Sequence, residues 1–322
     1  NPKPEKPSKP TSQAKTASSP GADPASGGYS GSILRPKGFP DLPQGWESDW
    51  ETFAASDGGL QLFAVTHRDR STGIPAERAR RAMLVIHGMG EHGGRYFHFP
   101  HYLQNAVSAV HCIDLRGHGR SEGLRGHIER FEQLTDDVAL SVRRFYEQGV
   151  KRHGEGFELH VFGHSLGGHL VLRTAFLHAD LPAASYAISS PFLGIKVEVP
   201  VVKEFAAKML SRVWGSLQMA TALDAGLLSH DPEVIAAYRE DRLVHDKMTP
   251  RFYSEVQAAM SDTLSRVDGL RRPILFQVAP DDAVVDGSLT LGLFERIKHR
   301  AKELKTYPGL KHEIFNELEK TH

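Results

Sequence analysis

Gly163-His164-Ser165-Leu166-Gly167 has the form G-x-S-x-G and joins two segments of opposite character. Before it runs an apolar stretch (Phe157, Leu159, Val161, Phe162), and after it a helix-like stretch from Gly168 to Ala179. A serine on a tight strand-to-helix turn projects its Oγ into the open, and small flanking residues avoid collision with neighbouring backbone. The start of the helix adds unpaired N–H groups and a partial positive charge where an oxyanion would form. The pentapeptide alone is common. Its weight comes from the strand before it and the helix after it.

Working outward, the same alternation recurs. Trp50–Ala55 and Leu60–Thr66 flank Asp57-Gly58-Gly59, a hairpin signal. Ala82–Ile86 is a short apolar run ending in His87-Gly88, as in a buried central strand. A helix is expected over Phe97–Gln104, a strand over Ala106–Leu115, and a helix over Phe131–Gln148 with Leu134, Val138, Val142 and Phe145 on one face. Beyond the serine, strands are expected at Ala184–Ser189, Pro273–Ala279 and Leu304–Tyr307, with a helix at Leu291–Lys302. Strands alternating with helices predict a mostly parallel sheet covered on both faces.

Two regions break the pattern. Residues 1–32 are dominated by Pro, Ser, Lys, Ala and Gly, and read as a disordered, solvated tail. Residues 191–249 read as a helical insertion over the sheet. In it Val202, Phe205, Ala206, Met209 and Val213 form an apolar stripe suited to packing on the core, to lining an acyl pocket, or to both. Asp231-Pro232 opens a second helix there, running to about Glu240. The core is therefore expected in two parts, 33–190 and 250–322.

Composition excludes more than it identifies. Lys+Arg and Asp+Glu both number 39 in 322 residues, which gives no argument for nucleic acid as a partner. The single cysteine, Cys112, cannot form an internal disulfide and is expected to be a buried, inert thiol. No apolar run is long enough for a membrane span. The chain begins at Asn1 rather than Met, as a processed or excised segment would, so compartment stays open, as does oligomeric state.

A serine hydroxyl needs a base, an orienting carboxylate and oxyanion donors before it can attack a carbonyl. Where a G-x-S-x-G serine sits on such a strand-to-helix turn, the acid follows the nucleophile in the chain and the histidine comes last. Two strand-end loops supply candidates in that order: Pro280-Asp281-Asp282-Ala283-Val284-Val285-Asp286, then Pro308-Gly309-Leu310-Lys311-His312-Glu313. The oxyanion donors are expected to be the N–H of Leu166, next after the serine, and that of Met89 in the loop His87-Gly88-Met89-Gly90-Glu91-His92.

Taken together, three ordered motifs are similar to the monoacylglycerol lipase and lysophospholipase branch of the α/β-hydrolases. They are His87-Gly88-x-Gly90-Glu91-His92-x-x-Arg95-Tyr96, Asp114-x-Arg116-Gly117-His118-Gly119-x-Ser121-x-Gly123-x-Arg125-Gly126, and Gly163-His164-Ser165-Leu166-Gly167-Gly168. Leu228-Ser229-His230-Asp231-Pro232-Glu233-Val234, with Tyr238 and Leu243-Val244-His245, resembles that branch's cap. The resemblance spans roughly residues 47–317. It implies an α/β-hydrolase fold with a helical cap, Ser165 as nucleophile, His312 as base, Met89 and Leu166 as oxyanion donors, and no cofactor. The branch's Asp-x-x-Val-Asp pattern falls on Asp282-Ala283-Val284-Val285-Asp286, which implies Asp282 as the acid. Asp281 is the runner-up, and Asp286 is read as the cap of the next helix. Pro280 stands where relatives carry glycine, and the chain ends at His322, where the branch continues into a closing helix.

The implied activity is hydrolysis of single-chain lipid esters, monoacylglycerols or lysophospholipids, with peripheral membrane contact through the cap. Acyl transfer and short-chain carboxylesterase activity use the same triad, and a hydrolase-fold lipid binder is the non-enzymatic alternative. The 18 histidines suggest metal, but no H-E-x-x-H or cysteine-pair spacing accompanies them. His164 is read as structural, and His87 and His92 as holding the oxyanion loop. The His118 and His127 region is read as a structured loop, with Arg116 and Arg125 serving internal carboxylates.

Overall fold

The computed structural model describes residues 39–196, 209–221 and 223–318. The 1–32 tail and the Val202, Phe205 and Ala206 part of the apolar stripe lie outside the described residues.

Strand alternation builds the sheet. Along β2 (Gln61–Asp69), Leu62 and Ala64 face one core while Phe63 and Val65 face the other. Leu84 and Ile86 of β3 (Arg81–Ile86) oppose Val85 in the same way, as Ile113 of β4 (Ala109–Asp114) opposes Val110 and Cys112. Period-two side chains thus supply two apolar faces from one strand, and a sheet buried on both sides results.

With β1 (Trp46–Ala54), β5 (Glu158–His164), β6 (Ser185–Ser189), β9 (Ile274–Val278) and β10 (Lys302–Thr306), the strands form one eight-stranded sheet of order β1-β2-β4-β3-β5-β6-β9-β10. The β1–β2 hairpin pairs antiparallel, with Phe53 opposite Leu62, and β2 joins β4 antiparallel. The other pairings in this sheet are parallel. β5 lies mid-sheet between β3 and β6, so the chain leaves its C-terminal end among several strand-end loops, where open α/β sheets place their sites.

One face is covered by helices Glu132–His153, Leu166–Leu177 and Pro250–Ser265, through Leu134, Val138, Phe145, Leu170, Phe252 and Val256. The other is packed by Tyr96, Phe97 and Phe99 around the 3-10 turn Gly93–Tyr96 and the short helix Phe99–Leu103. Cys112 is a buried free thiol whose pKa burial pushes well up, consistent with inertness.

Several boundaries differ from expectation. The expected Phe97–Gln104 helix is only the five-residue helix Phe99–Leu103, and the Gly93–Tyr96 turn precedes it. The helix after the serine begins at Leu166, two residues before Gly168. The helix expected at Leu291–Lys302 is Gly287–Arg296, because Asp286 caps it by accepting from the Ser288 N–H and the chain turns into β10 at Lys302. Pro250–Ser265 was not expected at all, although Thr249 caps it and Pro250 opens it.

Within 191–249 the helix Pro232–Glu240 forms as expected, capped by Asp231. A two-residue ribbon, β7 (Met219–Ala220) with β8 (Lys247–Met248), accompanies it. Met209 and Val213 of the predicted stripe are exposed rather than packed, at 50% and 83%.

Many histidines are interior. Burial pushes His67 down to about 4, and His118, His164 and His169 down to about 3, from near 6.5. Such groups stay neutral in the fold yet protonate once unfolded. Stability is therefore complete above about pH 6.5 and falls as pH drops towards 3, each imidazole removing up to about 1.4 kcal/mol per pH unit. Denaturant midpoints measured from pH 7.5 to 4.5 are expected to fall steeply below pH 6.5; a flat profile would contradict the burial.

Candidate active site

β5 ends at His164, and Ser165 turns the chain with φ +53° and ψ −117°, a conformation strained for a residue with a side chain. The turn is pinned on both sides: the Ser165 N–H donates to Ser189 O at 3.0 Å, and the Phe192 N–H donates to Ser165 O at 2.9 Å. Gly167 allows the turn to form, since a Cβ there would stand 2.1 Å from Ile86 O. Leu166 opens the helix, so its N–H has no acceptor within it.

The His87–His92 loop closes over this turn. A Cβ on Gly88 would lie 3.1 Å from Ser165 Cβ and 2.8 Å from Glu91 Oε1. The Gly88 N–H donates to Glu91 Oε1 at 2.5 Å. His87 anchors the loop: its Nε2 accepts from the Leu115 N–H at 2.9 Å and its Nδ1 meets Gly88 O at 2.7 Å. His92 accepts from the Gly94 N–H and pairs through Nε2 with Asp241 Oδ2 at 2.8 Å, tying the loop to the end of the Pro232–Glu240 helix.

Asp282 and His312 meet on the two loops beyond β9 and β10. His312 Nδ1 lies 2.7 Å from Asp282 Oδ2, and both residues are buried. Asp282 Oδ1 accepts the N–H groups of Val284 at 2.7 Å and Val285 at 3.2 Å. Burial raises the Asp282 carboxyl, but the His312 hydrogen bond and charge and those two amides outweigh it and hold the group below its ordinary range. Asp281 points elsewhere: it is exposed and accepts from the Gly309 N–H at 3.0 Å. Asp286 caps its helix. The His164 ring packs 4.7 Å from that of His312.

Ser165, Met89 and His312 line one cavity of about 480 Å³. Much of its wall is apolar, from Phe192, Ile195, Met219, Leu227, Met248 and Val284. Leu166 lies directly behind, fully buried.

One network was not foreseen. Arg95 donates to Glu91 Oε2 at 2.6 Å and holds both oxygens of Glu313 at 2.6 and 2.8 Å. Tyr96 OH donates to Glu91 at 2.8 Å and Asn316 Nδ2 to Glu313 at 2.8 Å. Burial raises the Glu313 carboxyl, but Arg95 overrides it and brings the group down to about 2. Glu313 follows His312 directly, so one buried guanidinium fixes both the oxyanion loop and the histidine loop. The i,i+4 pair Glu91/Arg95 was visible in the sequence, but its partner 218 positions on was not. Arg95→Met is expected to destabilise the fold by about 3–5 kcal/mol by leaving buried carboxylates unpaired. Adding Glu91→Gln and Glu313→Gln should recover part of that in denaturation curves; no loss in the single variant would contradict the network.

Arg116 serves Asp137 and Asp57 as expected, whereas Arg125 donates to the Ser121 carbonyl rather than to a carboxylate. His118 and His127 bond within their loops and to Thr249. Among the described residues no group of three or more His, Cys, Asp or Glu is arranged to hold a metal ion, and no helix is long and apolar enough to cross a membrane.

The family model for serine aminopeptidase S33 matches residues 77–319. The chain belongs to that family, within the α/β-hydrolases. Among similar proteins, a monoacylglycerol lipase of Mycolicibacterium smegmatis is 30% identical over 76% of this chain and 85% of its own length. Phospholipase YtpA of Bacillus subtilis is 28% identical over 76% of this chain and 92% of its own length. The crystal structure of Paleococcus ferrophilus monoacylglycerol lipase superposes with a TM-score of 0.67 at 28% identity, covering 85% of this chain and 94% of that one. The sheet described above is that of the α/β-hydrolase fold.

Proposed function

We propose that the protein is a serine esterase that hydrolyses carboxylic esters of single-chain lipids through Ser165, His312 and Asp282. The observation that carries this reading is the buried Asp282–His312 pair opening onto the same apolar cavity as Ser165. Asp282, ionised, holds the imidazole by its Nδ1–H. His312 Nε2 then takes the Ser165 proton as Oγ attacks the ester carbon. The N–H groups of Met89 and Leu166 receive the oxyanion. His312 returns its proton to the leaving alcohol, and water activated by the same imidazole releases the fatty acid.

The mostly apolar walls favour an acyl chain, and the charges among them favour an uncharged head group. Arg95 is the one guanidinium or ammonium among its described lining residues, and two carboxylates already neutralise it. Among the described lining residues no free cation awaits a phosphate, which favours monoacylglycerol over lysophospholipid. The same pairing engages Glu91 and Glu313, and the third carboxylate of the described lining, Asp224, accepts from the Gly226 N–H and lies 3.4 Å from Arg239, so the aminopeptidase reading has less support. Residues 191–249 act as the cap in this reading, and the exposed Met209, Val213, Trp214 and Met219 suit contact with a lipid surface.

A fluorophosphonate probe followed by peptide mapping tests the chemistry. Labelling is expected on Ser165, and folded protein that stays unlabelled would leave a lipid binder. A panel of monoacylglycerols, lysophospholipids, short p-nitrophenyl esters and aminoacyl anilides tests the substrate. Cleavage of only the short esters would remove the lipid assignment. Product analysis with added alcohols separates hydrolysis from acyl transfer.

A further inference from the structure

We propose that the Tyr238 hydroxyl binds a free hydroxyl on the alcohol half of the substrate and so selects polyol esters over simple alkyl esters. This rests on the ester-hydrolysis reading above.

The leaving alkoxide takes its proton from His312, so the alcohol half must lie on the His312 side of Ser165. On that side stands Glu313, gripped by Arg95, and Arg95 Cζ sits 4.8 Å from the centre of the Tyr238 ring. His312, Glu313, Arg95 and Tyr238 all line the cavity. The ring is thereby held at the cavity wall, beside the residue that follows His312, on a guanidinium that cannot move without breaking two buried ion pairs.

Several neighbouring polar side chains of the cavity are engaged, and Thr221, whose hydroxyl likewise has no partner among the described residues, is exposed. His245 Nε2 meets Gly117 O at 3.1 Å and its Nδ1 accepts from the Lys247 N–H at 3.2 Å. Thr249 Oγ1 lies 3.0 Å from His127 Nδ1 and accepts from the Phe252 N–H, and Tyr253 OH accepts from Gln257. The half-buried Tyr238 hydroxyl has no hydrogen-bond partner among the described residues. Burial pushes its phenol up to about 12, so both donor and acceptor capacity persist at working pH. A hydroxyl with no protein partner at the wall of an apolar cavity is free to meet a ligand hydroxyl, and a site that hydrogen-bonds a substrate hydroxyl discriminates against analogues lacking that group.

Tyr238→Phe in the full chain keeps the ring on Arg95 and removes only the oxygen. With monooleoylglycerol and ethyl oleate presented in the same mixed micelles, kcat/KM for the glycerol ester is expected to fall about 2- to 12-fold, the range of one neutral hydrogen bond. That for ethyl oleate should be unchanged. Equal losses on both esters would make the oxygen structural and overturn the proposal, as would no loss on either. A parent enzyme that labels with fluorophosphonate but cleaves both esters equally also overturns it, while the esterase reading stands. Failure to label or to cleave any ester overturns both.

Discussion

Ser165→Ala is expected to lower kcat on a monoacylglycerol by about 10⁶-fold, and His312→Ala by a similar amount, with the double variant no worse than either. The reason is that nucleophile and base act as one device: an alkoxide cannot form without the imidazole, and the imidazole has nothing to deprotonate without the hydroxyl. Ser165 lies at the cavity wall, and its backbone carries the turn through bonds to Ser189 and Phe192, so alanine should leave the melting temperature close to that of the parent. Steady-state assays with matched thermal melts check this. Turnover within about ten-fold of the parent would remove the acyl-enzyme route.

Asp282→Asn should cost about 10⁴-fold in kcat, because an amide donating to Nδ1 holds the imidazole in the tautomer that cannot accept the serine proton. Asp281→Asn should leave kcat unchanged, since its amide oxygen can still accept the Gly309 N–H and it faces away from His312. The contrast between adjacent residues makes the comparison sensitive to loop placement. The reverse outcome would mean that Pro280 shifts the loop in solution and brings Asp281 under the imidazole. Equal losses would point to loop integrity instead of a single orienting carboxylate.

The elements around the serine were legible because each carries a local signal. Ala82–Ile86 and the run up to Phe162 are short and apolar, and Asp57-Gly58-Gly59 stands between two alternating segments. Boundaries fared worse where local signals conflict. Gly287, Ser288 and Gly292 are poor helix formers and hid the start of Gly287–Arg296, while Ile297 extended the apparent period past its true end. Helix Pro250–Ser265 buries few large side chains, among them Phe252, Val256 and Met260, so its stripe is thin and easily passed over. The stripe through Met209 and Val213 has helical spacing, but spacing cannot tell whether a partner surface exists.

From residue order alone, the alternation of strands with helices, the strained turn at Ser165 and the candidate loops for acid and base were determined. These depend on periods of two and 3.6 residues and on turn chemistry, which neighbours along the chain set. That Asp282 and His312 meet, where the Glu313 carboxylate finds its cation, and that Tyr238 stacks on the same guanidinium were decided only by tertiary structure. Each depends on side chains far apart in sequence arriving 2.6 to 4.8 Å from one another. Hydrogen-bond and ion-pair energies fall off over that distance, and nothing in local sequence encodes it.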